Sequence, residues 1–321
     1  MKIGICRALH SYHHFPLWRS FFERLGFEVV LSRKTDKGIV ARGVELSPAE
    51  LCLPVKVFLG QVDDLRERVD LIFVPRLVCR RLSKDFYFGC PKAIGLPDMV
   101  RAIFPKTNGI FEITIDQRVG DEGEGFVTWA RTLGIKNGAA RKAFLEAREA
   151  EKKSAKMMGS GAIPVDFFEE RANMPKGDGR GKGERIGVIG HPYLLFDEHI
   201  SLNLLKIIQE LGVEPVVPFV SEEGLVLEAT RGNVPNWFYE LELLAAARKV
   251  LQDREIKGLL LVFSFACGTA PVMNEIIRRE IGRNSRLPIL TLFFDEHSGE
   301  VGLRTRLESF VDLVRARDGN L

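Results

Sequence analysis

The sequence predicts an α/β protein with two parallel-sheet lobes, and three observations predict it. Short apolar runs of strand length alternate with helical patterns, a glycine closes the first helix of each half, and the two halves repeat one another. The first strand is Lys2-Ile3-Gly4-Ile5-Cys6. Phe15, Trp18, Phe21, Phe22 and Leu25 then fall at helical spacing, Gly26 caps that helix, and Phe27-Glu28-Val29-Val30-Leu31 is the next strand. From Arg185 the same order returns. Ile186-Gly187-Val188-Ile189-Gly190 is a strand, residues 202–211 are helical, Gly212 caps the helix, and 213–217 is a strand again. Residues 23–30 and 209–217 are close to superimposable. Residues 70–75 answer 258–263, and 111–116 answer 288–295. Strands alternating with helices imply parallel sheets with right-handed crossovers. The expected fold is therefore two Rossmann-like lobes, 1–118 and 184–321, related by an internal repeat.

A helical middle segment, 119–183, joins them. Residues 139–158 are rich in Ala, Glu, Lys and Arg and predict one or more helices. Residues 176–183, Lys-Gly-Asp-Gly-Arg-Gly-Lys-Gly, read as a flexible linker. They are not a phosphate-binding loop, because the spacing fails and the glycines precede a strand instead of following one. No G-x-G-x-x-G fingerprint is present, so the lobes do not imply a dinucleotide.

Composition bounds the function. A length of 321 residues with 45% hydrophobic and 28% charged residues supports two cores. A net charge of +3 gives no electrostatic case for nucleic acid. No apolar run reaches the roughly 18 residues that span a bilayer, and the N-terminus runs straight into a strand with no signal peptide. No membrane association and a cytoplasmic location are expected. Five cysteines, an odd number and far apart, then argue for ligands, reactive thiols or packing instead of a disulfide framework.

Three of these cysteines stand out. Leu259-Leu260-Leu261-Val262-Phe263-Ser264-Phe265-Ala266-Cys267-Gly268 is an apolar run that ends in a thiol and a glycine, as when a buried strand delivers a ligand to the lip of a sheet. Gly268 would let the backbone approach a bulky group; the competing reading is a small buried hydrophobe. Cys52 follows Ser47-Pro48-Ala49-Glu50 and precedes Leu53-Pro54, a helix entry, where a thiol is expected to ionise readily. Cys90 sits in Gly89-Cys90-Pro91-Lys92. Loop packing is the alternative for both. Cys52, Cys90 and Cys267 are expected to converge on one iron–sulfur cluster. Zinc sites usually show a close C-x2-C pair, which is missing here. Thiolates from separate loops suit a cluster better. Cys79, and less so Cys6, could supply a fourth ligand or simply pack.

Other polar residues gather at strand ends. Lys56 and Lys92 each follow a candidate ligand closely, where a cation could balance cluster charge or hold an anionic ligand. His10, His13 and His14 cluster after the first strand and are expected to pack at a surface or interface; His191 takes the matching place in the second lobe. Asp295-Glu296-His297-Ser298-Gly299-Glu300 follows the last strand, so His297 and Glu300 join His191 as general acid–base candidates. Helix capping with a salt bridge from Arg304 or Arg306 is the competing reading.

These residues also carry a resemblance. Ile3-Gly4-Ile5-Cys6-Arg7-Ala8-Leu9, Phe15-Pro16-Leu17-Trp18, 22–30, Cys52-Leu53-Pro54-Val55-Lys56, Cys90-Pro91-Lys92 and Gly95-Leu96-Pro97-Asp98-Met99 resemble a family of proteins related to acyl-CoA dehydratase activases. So do Gly190-His191-Pro192-Tyr193, Phe265-Ala266-Cys267-Gly268 and 295–308. That family is distantly similar to the cluster-binding subunits of 2-hydroxyacyl-CoA dehydratases and benzoyl-CoA reductases. The resemblance implies a 4Fe-4S cluster on three cysteines between Rossmann-like domains, with one iron open. It also implies single electrons delivered by an ATP-hydrolysing activase as a separate partner. An oxidoreductase or dehydratase-like role, with a small-molecule or acyl-CoA substrate, follows as an expectation, and a non-catalytic cluster carrier, sensor or assembly protein is the alternative. A third reading is a two-lobe ligand binder whose cysteines only pack. A homodimer is compatible with this topology.

Overall fold

The computed structural model describes residues 1–169, 183–231, 236–284 and 287–318. Its strands form two sheets. The first contains β1 (Lys2–Ile5), β2 (Glu28–Leu31), β3 (Leu71–Leu82), β4 (Asp85–Phe88) and β5 (Ile110–Asp116). The second contains β6 (Arg185–Gly190), β7 (Glu214–Val216), β8 (Ile256–Ser264) and β9 (Ile289–Phe294). In the first sheet β2, β1, β3 and β5 are parallel neighbours in that order. In the second the order is β7-β6-β8-β9, also parallel throughout. The repeat read from the sequence is thus a repeat of topology, and the α/β class with two Rossmann-like parallel sheets is the observed one.

The helix caps explain why the halves begin alike. Gly26 and Gly212 close the first helix of each lobe at φ +86° and +77°, values an L side chain rarely adopts. The helix starts are where sequence and structure part. In the first lobe the helix runs Ser11–Arg24, with Pro16 inside it instead of near its start. In the second it runs only Leu204–Glu210, because Leu202 and Asn203 sit in left-handed conformations just before it.

A hairpin is the main unforeseen element. β3 does not stop at Pro75 but runs on to Leu82, 12 residues in all; residues up to Leu77, and after a register shift Cys79, pair with β5, and Cys79–Leu82 pair antiparallel with β4. Ser83 makes the turn at φ +57°. Pro75 lacks a donor, which from sequence alone reads as a strand end.

The middle segment is anchored by one long helix, Asn137–Gly159. Ala140, Ala143, Phe144, Ala147, Glu151 and Ser154 are buried at three-and-four spacing. Phe144 lies against Phe126, and Phe126 against Phe21 of the first helix, so this face is docked on the N-terminal lobe. Residues 176–182 of the expected linker lie outside the described residues.

One apolar core crosses both sheets. Leu59, Val62, Ile72 and Val74 from the first half share it with Val188, Leu195, Leu260 and Val262 from the second. Burying side chains of this size is worth roughly 1.5–3 kcal/mol each, which favours a fixed relation between the lobes. Among the described residues no helix is long and apolar enough to cross a membrane.

Candidate functional site

Each of the three expected cysteines stands next to a helix start, and local backbone explains each placement. Cys52 is the N-cap of the helix Leu53–Leu65, with Pro54 in its first turn. That helix is held against the helix Lys37–Leu46 by a backbone-to-backbone approach. A Cβ on Gly60 would lie 2.1 Å from the Ile39 carbonyl oxygen, and one on Gly43 1.9 Å from that of Lys56. Only glycine fits at either position, so the N-terminal end carrying Cys52 is fixed.

Cys90 is the N-cap of the short helix Pro91–Ile94, and its sulfur accepts a hydrogen bond from the Ala93 N–H at 3.4 Å. Gly89 makes this possible. Its N–H donates to the Val78 carbonyl at 3.0 Å, and a Cβ there would stand 2.2 Å from the Leu77 carbonyl oxygen. Cys267 follows β8 through a turn in which its N–H donates to the Ser264 carbonyl at 3.3 Å, and the helix Ala270–Asn284 begins three residues later. Ala266, just before it, holds φ +58°, a conformation costing an alanine about 1–2 kcal/mol. A Cβ added to Gly268 would meet nothing within 4 Å, so that side of the loop has room for a bulky group.

The structure brings these three loops together. The Cys267 thiol raises the pKa of Cys52, and Cys52 and Cys267 both raise that of Cys90. Lys92 is the link. Its ammonium donates to the Glu50 carbonyl at 3.0 Å and to the Ala266 carbonyl at 2.6 Å. It therefore ties the loop before Cys52, its own loop after Cys90, and the loop before Cys267.

Cys52 and Cys90 are not the ready thiolates that helix N-termini alone would give. Burial pushes the Cys90 thiol up to about 12, and burial also raises Cys52, against a lowering influence from Lys92. Desolvation outweighs the helix dipole here because a thiolate in an apolar pocket loses its water before any cation replaces it.

Four further side chains complete the pocket. Tyr193 is partly buried with its hydroxyl turned inward; burial of that group, then the charges of Cys267, Cys90, Glu240 and Cys52, push its pKa well up. The Thr269 hydroxyl lies 3.4 Å from the Cys267 sulfur and hydrogen-bonds Glu240. His191 stacks on Tyr193 with ring centroids 5.0 Å apart, and its Nε2 is 3.9 Å from Glu240 Oε1. Burial holds the His191 imidazolium pKa down to about 4, so the ring is neutral at pH 7.

The remaining expected residues fall elsewhere. Lys56 is buried, but its ammonium pairs with Glu296 and donates to the Ala49 carbonyl at 3.2 Å. It secures the 295–300 loop to the helix of Cys52. Within that loop the His297 N–H and the Ser298 hydroxyl donate to Asp295 Oδ1 at 3.0 and 2.9 Å. His297 itself is exposed, as is Glu300 in the first turn of the helix Glu300–Asp318. Arg304 pairs with Glu210 instead of capping the loop. Cys79 has Asp116 and Arg118 as its charged neighbours, and Cys6 has the Phe58 carbonyl and Asp64. Neither groups with the other three thiols. Among the described residues no three His, Cys, Asp or Glu side chains are placed to hold a single metal ion.

A cavity of about 1040 Å³ lies on the other side of this polar cluster. Val188, Leu195, Phe196 and Phe219 supply apolar wall, and His13, Tyr239 and Glu242 polar wall. The three cysteines do not line it.

A family model described as the CoA enzyme activase uncharacterised domain matches residues 2–219, more than half of the chain. The chain belongs to this family. The match takes in the loops of Cys52 and Cys90 and the His191-Pro192-Tyr193 turn; Cys267 lies beyond it. No curated protein matches the chain. Membership in this CoA enzyme activase domain family agrees with the activase-related family that the sequence motifs resemble.

Thr269 and Glu240 are the pocket residues that sequence reasoning did not single out; Tyr193 enters it as part of the His191-Pro192-Tyr193 turn. Thr269 stands within two residues of Cys267, which is a usable signal. Glu240 lies in the helix Phe238–Leu251, where it is one acidic residue among several.

Proposed function

We propose that this protein holds a 4Fe-4S cluster on Cys52, Cys90 and Cys267, with the fourth iron open, and uses it in low-potential electron transfer or reductive chemistry. The observation that supports this most is the convergence of three thiols from loops in both halves, with Lys92 bonded across all three loops. The donor set fits. The thiols would exchange their protons for iron, Cys52 and Cys90 from a form held neutral by burial, and thiolate is the usual ligand of such clusters. Such a cluster supplies one-electron transfer, and its open iron Lewis acidity.

The protein's own residues would set the conditions. Lys92 places positive charge beside Cys52, which favours an anionic centre over an empty one. Tyr193 closes the inner wall and keeps water out, and the open side at Gly268 admits the ligand. A small-molecule or acyl-CoA substrate would approach from that open side, since the cysteines do not line the large cavity. An ATP-dependent activase partner would deliver the electrons, in the cytoplasm.

The test is anaerobic reconstitution with iron and sulfide, followed by spectroscopy. A broad charge-transfer absorbance and a paramagnetic signal on reduction are expected, and Cys52→Ala or Cys267→Ala should abolish both. Tight zinc binding with no iron uptake would reject the proposal. Reduction by an activase with ATP, followed by turnover, separates an electron-transferring enzyme from a cluster carrier, sensor or assembly protein.

A further inference from the structure

Behind the thiol pocket lies a buried polar cluster that nothing above puts to use. His10, His191 and Glu240 are each more than nine-tenths buried. Four atoms in this cluster, His10 Nδ1, His13 Nδ1, His191 Nδ1 and Glu240 Oε2, are buried without a hydrogen-bond partner. Leaving one such group unsatisfied costs about 1–3 kcal/mol, so four in one place call for an explanation.

Their connections run in one direction. At the cavity, His13 Nε2 is 3.1 Å from Glu242 Oε2, and both residues line the wall. His13 acts electrostatically on His191. His191 Nε2 is 3.9 Å from Glu240 Oε1, Glu240 accepts from the Thr269 hydroxyl, and Thr269 is 3.4 Å from the Cys267 sulfur. Tyr239 stacks on His10 with centroids 3.9 Å apart and hydrogen-bonds His14 at 2.9 Å, which walls the route on one side.

We propose that Glu242, His13, His191, Glu240 and Thr269 form a buried proton path between the cavity and the floor of the thiol pocket. His13 and His191 can each take a proton on one ring nitrogen and release one from the other; Glu240 meets both His191 and Thr269 through Oε1, so it takes up a proton there, turns it toward the other neighbour and releases it, and no charge stays behind. His13 Nδ1 and His191 Nδ1, both without a partner, are where a bridging water would join the two rings, as buried water does between unsatisfied polar groups. Burial lowers the pKa of His10 and His191, which leaves both rings neutral, and raises that of Glu240, which eases proton uptake there. The charged or titratable groups facing Glu240 are His191, Glu242, Tyr193 and Cys90. The path does not depend on what the thiols hold, so it stands or falls apart from the cluster.

The experiment uses the full chain labelled with ¹⁵N-histidine and reads exchange of the His191 ring proton with solvent. In the native protein this proton should exchange readily despite its burial. His13→Phe removes both ring nitrogens from the cavity end and should slow exchange at least tenfold, with backbone amide protection unchanged. Unchanged or faster exchange would overturn the path and leave the cluster as interface packing. If His13→Phe fails to fold, the near-isosteric Glu242→Gln decides: slower exchange supports the path, and an unaltered rate refutes it.

Discussion

The ammonium of Lys92 stands 2.6 Å from the carbonyl oxygen of Ala266, a residue held at φ +58°. The contact joins a cation two residues after one thiol to the carbonyl directly before another. Lys92→Met keeps the stem and removes the donor. It should cost about 2 kcal/mol of stability, the usual worth of a hydrogen bond with one charged partner. Denaturant unfolding measures this, and iron uptake should weaken in parallel.

Gly89→Ala tests how the Cys90 loop is seated. The new Cβ would press on the Leu77 carbonyl oxygen from 2.2 Å, and backbone has nowhere to retreat inside a sheet. A loss of about 2–3 kcal/mol is expected, as for overpacking. Cys90 should also become more open to alkylation, because its loop must move away from β3.

Ala266→Gly tests the strain beside Cys267. Glycine adopts positive φ freely but loses more entropy on folding. The two effects leave a net gain of up to about 1 kcal/mol in thermal or denaturant unfolding. Ala266→Val should instead destabilise, since a β-branched residue tolerates that conformation least.

Acid should weaken the fold well above the carboxylate range. An unfolded histidine takes up its proton near pH 6.5, whereas His191 in the fold resists until about pH 4. Between those values the unfolded state binds more protons, so stability falls as pH drops. About 2 kcal/mol should be gone by pH 5, with His10 adding in the same direction. Glu151, held down to about 2 beside His14, adds its own loss only below its ordinary range. His191→Gln should flatten the decline between pH 6.5 and 5, as read by denaturation midpoints at each pH.

What the sequence made legible follows from how locally each feature is encoded. β6, β8 and β9 are readable because buried parallel strands leave uninterrupted apolar runs. Gly26 and Gly212 are readable because left-handed caps select glycine. The β3–β4 hairpin is not, because Pro75 mimics a strand end and Ser83 takes a turn conformation its side chain does not advertise. The three thiols could be singled out by their neighbours, but not Lys92's grip, since its partners are backbone carbonyls that any residue supplies. His10, His13 and His14 were expected at a surface or interface without matching partners. They lie between the halves, with Glu151, Tyr239 and Glu242 supplied from helices more than a hundred residues away. The burial of His10 and His14 as neutral rings depends on tertiary contact alone.

The central claim is that Cys52, Cys90 and Cys267 share one cluster, and metal counting tests it most directly. Iron and acid-labile sulfide should be measured on the anaerobically reconstituted chain and on each cysteine-to-alanine variant. The account predicts about four irons and four sulfides per chain. Cys52→Ala, Cys90→Ala and Cys267→Ala should each lose most of them, while Cys6→Ala and Cys79→Ala keep them. Full iron retention in any of the first three variants, or no iron in the native chain, would contradict it.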